Sequence, residues 1–469
     1  MSNFKRGGKI RLKIENLAFG GKGIGRVNAN KGTGDDNFVV FVENAIPGDE
    51  IEAEFYRVKK NFGEAKIVRI IKESGFRVAP KCKHFGICGG CVWQNLDYKK
   101  QLEYKENHVR ESLERIGKIL QPQIEPIIGC EKPFGYRNKM EFSFSCMDNG
   151  KIGLGMHKAR MHYDISDITE CFLVSETVVE ILKFTRGFFG QKSAAVFNSK
   201  TQEGFLRNLI VREAKTTSEI MVNLITSAEK FSWREEFITA LKNRFGHQIT
   251  SIWWTKIDSR KGRPKKTEET LLFGTPVIRE ELNINGEKIK FDITPSAFFQ
   301  PNTFQAQILY ETILRLADAK KSDSVFDLFC GTGTIGICFA KFCKQIFGIE
   351  INKSAIEIAK KNAKLNNLEN TKFLCGDAIK EAVKLGALPN IIVVDPPRAG
   401  IGEKFSIKLA QFGKKSGTRK IVYVSCNPAA LARDARILID NGYELTVVQP
   451  IDMFPHTYHI ESIALFEQK

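Results

Sequence analysis

From residue 322 to the C-terminus, short apolar runs rich in β-formers alternate with amphipathic stretches. The pattern predicts strands at 324–329, 345–349, 371–374, 390–394, 420–424 and 445–448, and helices at 334–343, 353–365, 404–413 and 429–440. Few folds satisfy this alternation. Parallel strands need crossover connections, so strand–helix repetition predicts an α/β doubly wound sheet. Ligands of such sheets bind outside the C-terminal strand ends, so residues leaving those ends are the first functional candidates.

The remainder is too long to join that core: 469 residues suggest about three domains of roughly 150 residues. Residues 10–70 read as a small partly open β-barrel. Ile10-Arg11-Leu12-Lys13-Ile14 and Ile51–Tyr56 alternate as half-buried strands do, Phe38–Val42 is continuously apolar, and Pro47-Gly48-Asp49 is a turn. Gly20-Gly21-Lys22-Gly23-Ile24-Gly25 lacks a surrounding βαβ unit, so it reads as turns between strands and not as a dinucleotide loop. Residues 97–118 read as a helix with Leu102, Val109, Leu113 and Ile116 on one face. Residues 125–290 are mixed and strand-rich, and 259–266 (Ser-Arg-Lys-Gly-Arg-Pro-Lys-Lys) reads as an exposed loop. The expected domains are 1–75, 76–290 and 291–469.

Charge points to an anionic partner. The chain has 71 Lys and Arg against 54 Asp and Glu, a net +17, and nucleic acid is the usual match. Small open barrels often bind oligonucleotides. The N-terminus lacks a signal-peptide apolar core, and no apolar run approaches the ~20 residues that span a bilayer. A cytoplasmic, membrane-free protein is expected, and its eleven cysteines are expected to be ligands, nucleophiles or core residues.

Val325-Phe326-Asp327-Leu328-Phe329-Cys330-Gly331-Thr332-Gly333-Thr334 reads as a strand, a Gly-rich turn and a helix start. Glu350 ends the next strand, where an acid can accept from ribose hydroxyls, and Asp377 ends the third, where it could meet an adenine amino group. With Asp395-Pro396-Pro397-Arg398 in the same order, the series resembles class I S-adenosylmethionine methyltransferases. Downstream, Val424-Ser425-Cys426-Asn427-Pro428 places a cysteine at a strand end, where it can act as a nucleophile.

Five segments carry a closer resemblance. They are Phe299-Gln300-Pro301-Asn302, Phe329–Gly333, Asp395–Gly400, Ser425–Pro428 with Arg433-Asp434, and Phe454-Pro455-His456-Thr457-Tyr458-His459-Ile460-Glu461. Together they resemble the RNA uridine-5-methyltransferases, especially the ribosomal-RNA members, and the N-terminal barrel resembles their TRAM module. The resemblance implies that Cys426 attacks carbon 6 of a uracil, which makes carbon 5 reactive toward a sulfonium methyl group. It implies that Glu461 then removes the carbon-5 proton. It also implies donor contacts from Gln300, Phe329, Gly331, Gly333, Glu350, Asp377 and Asp395, although Asp395 could instead hold the uracil. His456 and His459 are expected in packing or RNA contact.

Cys82, Cys88 and Cys91 have C-x5-C-x2-C spacing. A four-thiolate site suits either zinc or iron–sulfur. By resemblance the fourth ligand is Cys171, ahead of Cys130 and Cys146, and the group is a [4Fe-4S] cluster. Because transfer-RNA members generally lack barrel and cluster, the resemblance implies 23S ribosomal RNA as the substrate, with transfer RNA as the alternative, and a monomer without obligate protein partner. Two rival readings are a non-catalytic iron–sulfur RNA-binding protein and an enzyme methylating an amino nitrogen.

Overall fold

The computed structural model describes residues 4–28, 37–258 and 266–469, with the side chains of Asn28, Asn37 and His162 left aside. The expected basic loop at 259–266 therefore lies outside the described residues except for Lys266, which opens a strand.

Six strands, β1 (Lys9–Lys13), β2 (Asn16–Leu17), β3 (Gly23–Asn28), β4 (Asn37–Glu43), β5 (Glu50–Val58) and β6 (Phe62–Lys72), form one sheet in the order β1-β5-β6-β4-β3-β2. Alternation along β5 sends Ile51, Ala53 and Phe55 inward against Leu12, Val40, Val42 and Ala65. The glycine run that resembled a dinucleotide loop is a turn leading into β3, and a Cβ at Gly25 would strike Leu12 and the Lys13 carbonyl.

Helix α1 (Tyr98–Arg115) begins at Asp97, whose carboxylate accepts from the amides of Lys99 and Lys100. Its buried face is Gln101, Lys105, His108, Val109 and Leu113, whereas Ile116 is exposed. The expected apolar face is therefore corrected. Val109 and Leu113 do pack, but three polar residues share the burial because they bond to other segments, as His108 does to the Leu17 carbonyl.

The central sheet contains β7 (Lys139–Cys146), β8 (Ile152–Lys158), β9 (Met161–Asp167), β10 (Leu206–Glu213), β11 (Ile220–Ser227), β12 (Ile249–Asp258) and β13 (Lys266–Gly274), ordered β13-β12-β11-β10-β7-β8-β9. Helices α2 (Glu176–Gln191) and α3 (Arg234–Phe245) cover one face, burying Phe142, Leu209, Val222 and Phe237 in one cluster.

Strands β14 (Ile278–Ile284) and β15 (Glu287–Ile293) form a hairpin, followed by α4 (Thr303–Ala317). The expected boundary at 290/291 falls inside β15. Ile278, Leu282, Ile289 and Phe291 join the C-terminal core, so the hairpin cannot be divided there. Helix α1 likewise packs with Leu431 and Ala432 of the C-terminal unit and not on the central sheet.

The C-terminal elements are β16 (Ser324–Leu328), α5 (Thr334–Ala340), β17 (Gln345–Glu350), α6 (Lys353–Leu365), β18 (Thr371–Cys375), α7 (Ala378–Lys384), β19 (Ile391–Val394), α8 (Gly402–Ser416), β20 (Lys420–Ser425), α9 (Pro428–Asp440), β21 (Tyr443–Ile451) and β22 (Glu461–Gln468). The sheet order β18-β17-β16-β19-β20-β22-β21 is doubly wound, parallel through β20, with β22 antiparallel to both neighbours. The expected strands recur within a few residues. Helix α7 and strand β22 add to the expected set; β22 is a short buried apolar run that periodicity cannot assign. Alternate residues supply two cores: Val325, Val393 and Val422 on one face, Phe326, Ile392 and Ile421 on the other. Each such side chain contributes about 1.5–3 kcal/mol when fully buried.

Candidate active site

A cleft of about 900 Å³ opens at the C-terminal ends of β16, β17, β19 and β20. Its floor is the turn after β16. Phe329 takes a left-handed backbone conformation (φ 64°), as does Gly331 (φ 53°). For a bulky residue this costs on the order of 1–3 kcal/mol and exposes the turn's backbone. The Gly331 amide donates to Glu350 Oε2 at 3.3 Å, and Glu350 Oε1 accepts from the Asn352 amide at 2.9 Å. Gln300, Phe329, Gly331, Glu350 and Asp395 all line the cleft.

Two of the expected donor residues, Gly333 and Asp377, stand elsewhere, as does Asp327 of β16. Asp327 is buried beneath the turn, where its Oδ2 accepts from the Gly336 amide at 2.8 Å and Oδ1 lacks a protein partner. Burial, with Asp395 and Glu350 nearby, pushes its carboxyl up to about 7. Gly333 caps α5 at φ 77°, and a Cβ there would strike Phe373 and Ala359. Asp377 is exposed, caps α7 through the Lys380 amide, and is not among the cleft-lining residues.

The other end of the cleft gathers Cys426, Glu461, Asp395 and Arg398. Strand register explains the meeting. Ser425 of β20 faces Ser462 of β22, so positions 426 and 461 are the next to face each other. β20 ends at Ser425, and Asn427 caps α9 with Pro428 at its first position, so Cys426 stands alone between strand and helix. Burial pushes the Cys426 thiol up to about 11, with Glu461 reinforcing it and Arg398 opposing it. Burial, then Asp395, raises the Glu461 carboxyl well above the carboxylate range, and burial pushes Asp395 up to about 7. His459, half-buried and beside Arg398, is pushed down to about 4 by desolvation and then by Arg398, and is neutral at physiological pH.

Arg398, Phe454 and Thr457 line this end without having been singled out by sequence reasoning as site residues, and His459, expected in packing or RNA contact, lines it too. Arg398 stood in a motif already noted, and its charge beside a strand-end acid was the available signal. His456 is instead a packing residue: buried, stacked on Phe134 at 4.2 Å, and accepting through its carbonyl from the amides of Val92 and Trp93.

Cys82, Cys88, Cys91 and Cys171 line one small cavity of about 30 Å³ with Met140, Met156 and Ile168. Gly90 donates its amide to Cys88 Sγ at 3.4 Å, and Gln94 Nε2 donates to Cys91 Sγ at 3.2 Å. Burial pushes Cys91 up to about 12 and Cys171 to about 11, with neighbouring thiols adding to both. Among the described residues, no three His, Cys, Asp or Glu side chains are preassembled around a single metal-ion position. Cys130 is buried near Asn302 and Cys146 is exposed; neither lines this cavity. Among the described residues, no helix is long and apolar enough to cross a membrane.

The sheet order and the cleft at its strand ends define a class I S-adenosylmethionine-dependent methyltransferase. Residues 98–469 match the family model described as tRNA (Uracil-5-)-methyltransferase, and residues 3–68 match the TRAM domain. The chain belongs to the tRNA (uracil-5-)-methyltransferase family and is an S-adenosylmethionine-dependent RNA (uracil-5-)-methyltransferase. Among curated relatives, an uncharacterized RNA methyltransferase of Clostridium tetani is 36% identical over 465 residues, covering 98% of this chain and 96% of that one. One from Listeria innocua is 36% identical over 477 residues, covering 100% and 99%. Among solved structures, the Pyrococcus abyssi tRNA (uracil-54, C5)-methyltransferase in complex with S-adenosyl-L-homocysteine superimposes with a TM-score of 0.74 at 31% identity, covering 97% of this chain and 100% of that chain. Such coverage takes in the barrel. A barrel therefore does not by itself separate ribosomal-RNA from transfer-RNA enzymes, contrary to the expectation from the resemblance.

Proposed function

We propose that the chain methylates carbon 5 of a uridine through a covalent Cys426–uracil adduct, resolved by Glu461. The observation that carries this reading is that Cys426, next after the Ser425–Ser462 pair, and Glu461, which opens β22, line one cleft with Asp395 and Arg398. The Cys426 thiolate adds to carbon 6, and the electron pair of the 5,6 double bond moves toward the carbon-4 carbonyl as an enolate. S-adenosylmethionine, when bound, supplies the electrophilic methyl group that carbon 5 accepts. Glu461 takes the proton from carbon 5, the carbon 6–sulfur bond breaks, and the thiolate is regenerated. The proton on Glu461 then leaves to solvent, so the cycle releases one proton per methyl transferred.

Glu350, Gly331, Phe329, Gln300 and Asp395 would hold the donor, because all five line the cleft and Glu350 already ties its carboxylate to the turn. Gly333 would act by letting the turn pack closely, and Asp377 by capping α7. The target base must leave its stack to reach so enclosed a thiol, which favours single-stranded loops.

The four thiols around one cavity suit an iron–sulfur group: they provide the full ligand set, and two sulfurs accept hydrogen bonds as cluster sulfurs do. A [4Fe-4S] cluster on Cys82, Cys88, Cys91 and Cys171 would tie the loop after the barrel to the central unit. This set supports 23S ribosomal RNA as the substrate, in keeping with the family resemblance. Transfer RNA is the second reading, supported by the likeness to the Pyrococcus abyssi enzyme.

The test is methyl transfer from labelled S-adenosylmethionine to unmodified ribosomal and transfer RNA, followed by nucleoside mass spectrometry. 5-Methyluridine in ribosomal RNA, lost in Cys426→Ala, is the expected result. Product in transfer RNA alone overturns the substrate, and full activity of Cys426→Ala overturns the adduct.

A further inference from the structure

Arg398 is held more firmly than its place in a loop suggests. Asn427, the residue after the candidate nucleophile, donates its side-chain amide to the Arg398 carbonyl at 3.1 Å. Arg433 donates to the Ala399 carbonyl at 2.8 Å, and Asp434 Oδ2 accepts from the Ile401 amide at 2.9 Å. Gly400, at φ 74°, lets this loop lie against Asp434, where a Cβ would come within 2.4 Å. The loop and the start of α9 are thus one unit, and Cys426 stands at their junction.

The guanidinium lies beside one ring and shares a cleft with the thiol. Its Nη2 is 2.6 Å from His459 Nδ1, and Arg398 lines the same cleft as Cys426, whose ionised form its charge favours. A neutral imidazole can accept from a guanidinium without cancelling its charge, whereas a carboxylate would neutralise it. The ionisable groups acting on Cys426 are Glu461, Arg398 and Asp395, and Arg398 is the one that favours its ionised form. Those acting on His459 are Arg398, Lys105 and Arg137, all cationic, which keeps the ring an acceptor.

We propose that Arg398 is a catalytic residue that stabilises the Cys426 thiolate, and that His459 is the positioning residue that aims it. This inference rests on the reading of Cys426 as nucleophile. The thiol proton leaves to solvent before attack, and the sulfur's negative charge is balanced by the guanidinium until carbon 6 takes up the electron pair. When the adduct collapses, the same contact receives the departing thiolate.

The test needs no turnover. Alkylation of Cys426 by iodoacetamide is followed by peptide mass spectrometry in RNA-free holoprotein, from about pH 6 to about pH 10. Arg398→Gln is expected to slow alkylation near neutral pH about tenfold, equivalent to one unit in thiol acidity. Arg398→Lys should recover part of the loss, because it keeps the charge without the planar fork, and His459→Phe should show a smaller slowing. Binding of S-adenosyl-L-homocysteine by each variant reports that the cleft has folded. In turnover, kcat should fall with the RNA KM within about twofold, and the ascending limb of the pH profile should move to higher pH. Unchanged alkylation in a folded Arg398→Gln, with a raised RNA KM and constant kcat, would overturn the proposal in favour of a phosphate clamp. If Cys426→Ala remained active, the nucleophile reading would fall, while the alkylation profile would still report the Arg398–Cys426 contact.

Discussion

Lys105 Nζ meets Asp452 Oδ1 at 2.6 Å, with both side chains fully excluded from solvent. Lys105 also donates to the Phe454 carbonyl at 3.0 Å, and Tyr98 donates its hydroxyl to Asp452 Oδ2 at 2.9 Å. Helix α1 thereby grips the segment from Asp452 to His459 that lines the cleft. Burial lowers the Lys105 pKa, and Asp452 opposes that shift. Breaking one side of such a pair strands a buried charge. Asp452→Asn is expected to destabilise the fold by about 3–5 kcal/mol, and Lys105→Met with Asp452→Leu to recover most of it. Urea unfolding of the wild type and both variants checks this; an undiminished midpoint in Asp452→Asn would refute it.

If Glu461 removes the carbon-5 proton, its loss should stall the reaction after methyl transfer. Glu461→Gln is expected to accumulate an RNA–protein adduct that survives denaturing electrophoresis, with product formation reduced about 100- to 10,000-fold. Adding Cys426→Ala should abolish the adduct. A slow Glu461→Gln enzyme without adduct would place its role before the methyl transfer.

Glu350 and Asp377 look alike in sequence but occupy different surroundings. Glu350 lines the cleft, while Asp377 is an exposed helix cap. Asp377→Ala is expected to cost about 1 kcal/mol of stability and to leave donor affinity nearly unchanged. Glu350→Ala should weaken S-adenosyl-L-homocysteine binding at least about tenfold, through lost charge-assisted hydrogen bonds. Calorimetric titration of both variants decides the matter, and a weakened Asp377→Ala would return that residue to the donor site.

The buried Asp327 carboxyl, pushed up to about 7, gives a pH signature with a definite sign. Its folded pKa lies above the unfolded value, so its stabilising contribution is complete below about pH 4 and is lost as pH rises toward 7. Asp327→Asn cannot ionise. The stability of the wild type relative to that variant should fall by on the order of 2–4 kcal/mol between about pH 4 and pH 8. Denaturant titrations without donor across that range test it, and a flat difference would mean that Asp327 is charged throughout.

The cysteine cavity separates ligands from bystanders. Cys171→Ser is expected to lower the iron and acid-labile sulfide of anaerobically purified protein, whereas the exposed Cys146→Ser should leave both unchanged. Zinc without sulfide in the wild type would replace the cluster by a structural metal ion.

Much of the C-terminal half could be read directly, because its information is local. Strand–helix alternation depends on short-range periodicity, and the acids and glycines at strand ends keep their spacing whatever surrounds them. Cys426 could be placed at a strand end from Ile421–Val424 before and Asn427-Pro428 after. Long-range pairing could not be read. Strand β22 inserts antiparallel between β20 and β21, and only that register brings position 461 opposite 426. The buried polar face of α1 had no meaning until Asp452, 347 residues away, supplied a partner for Lys105. Asp377 kept its sequence position but is not part of the cleft lining, since its side chain caps α7. The sequence by itself determined the order of elements and the kinds of chemistry available. Tertiary structure decided which side chains meet, because burial and strand register act between residues that no local pattern connects.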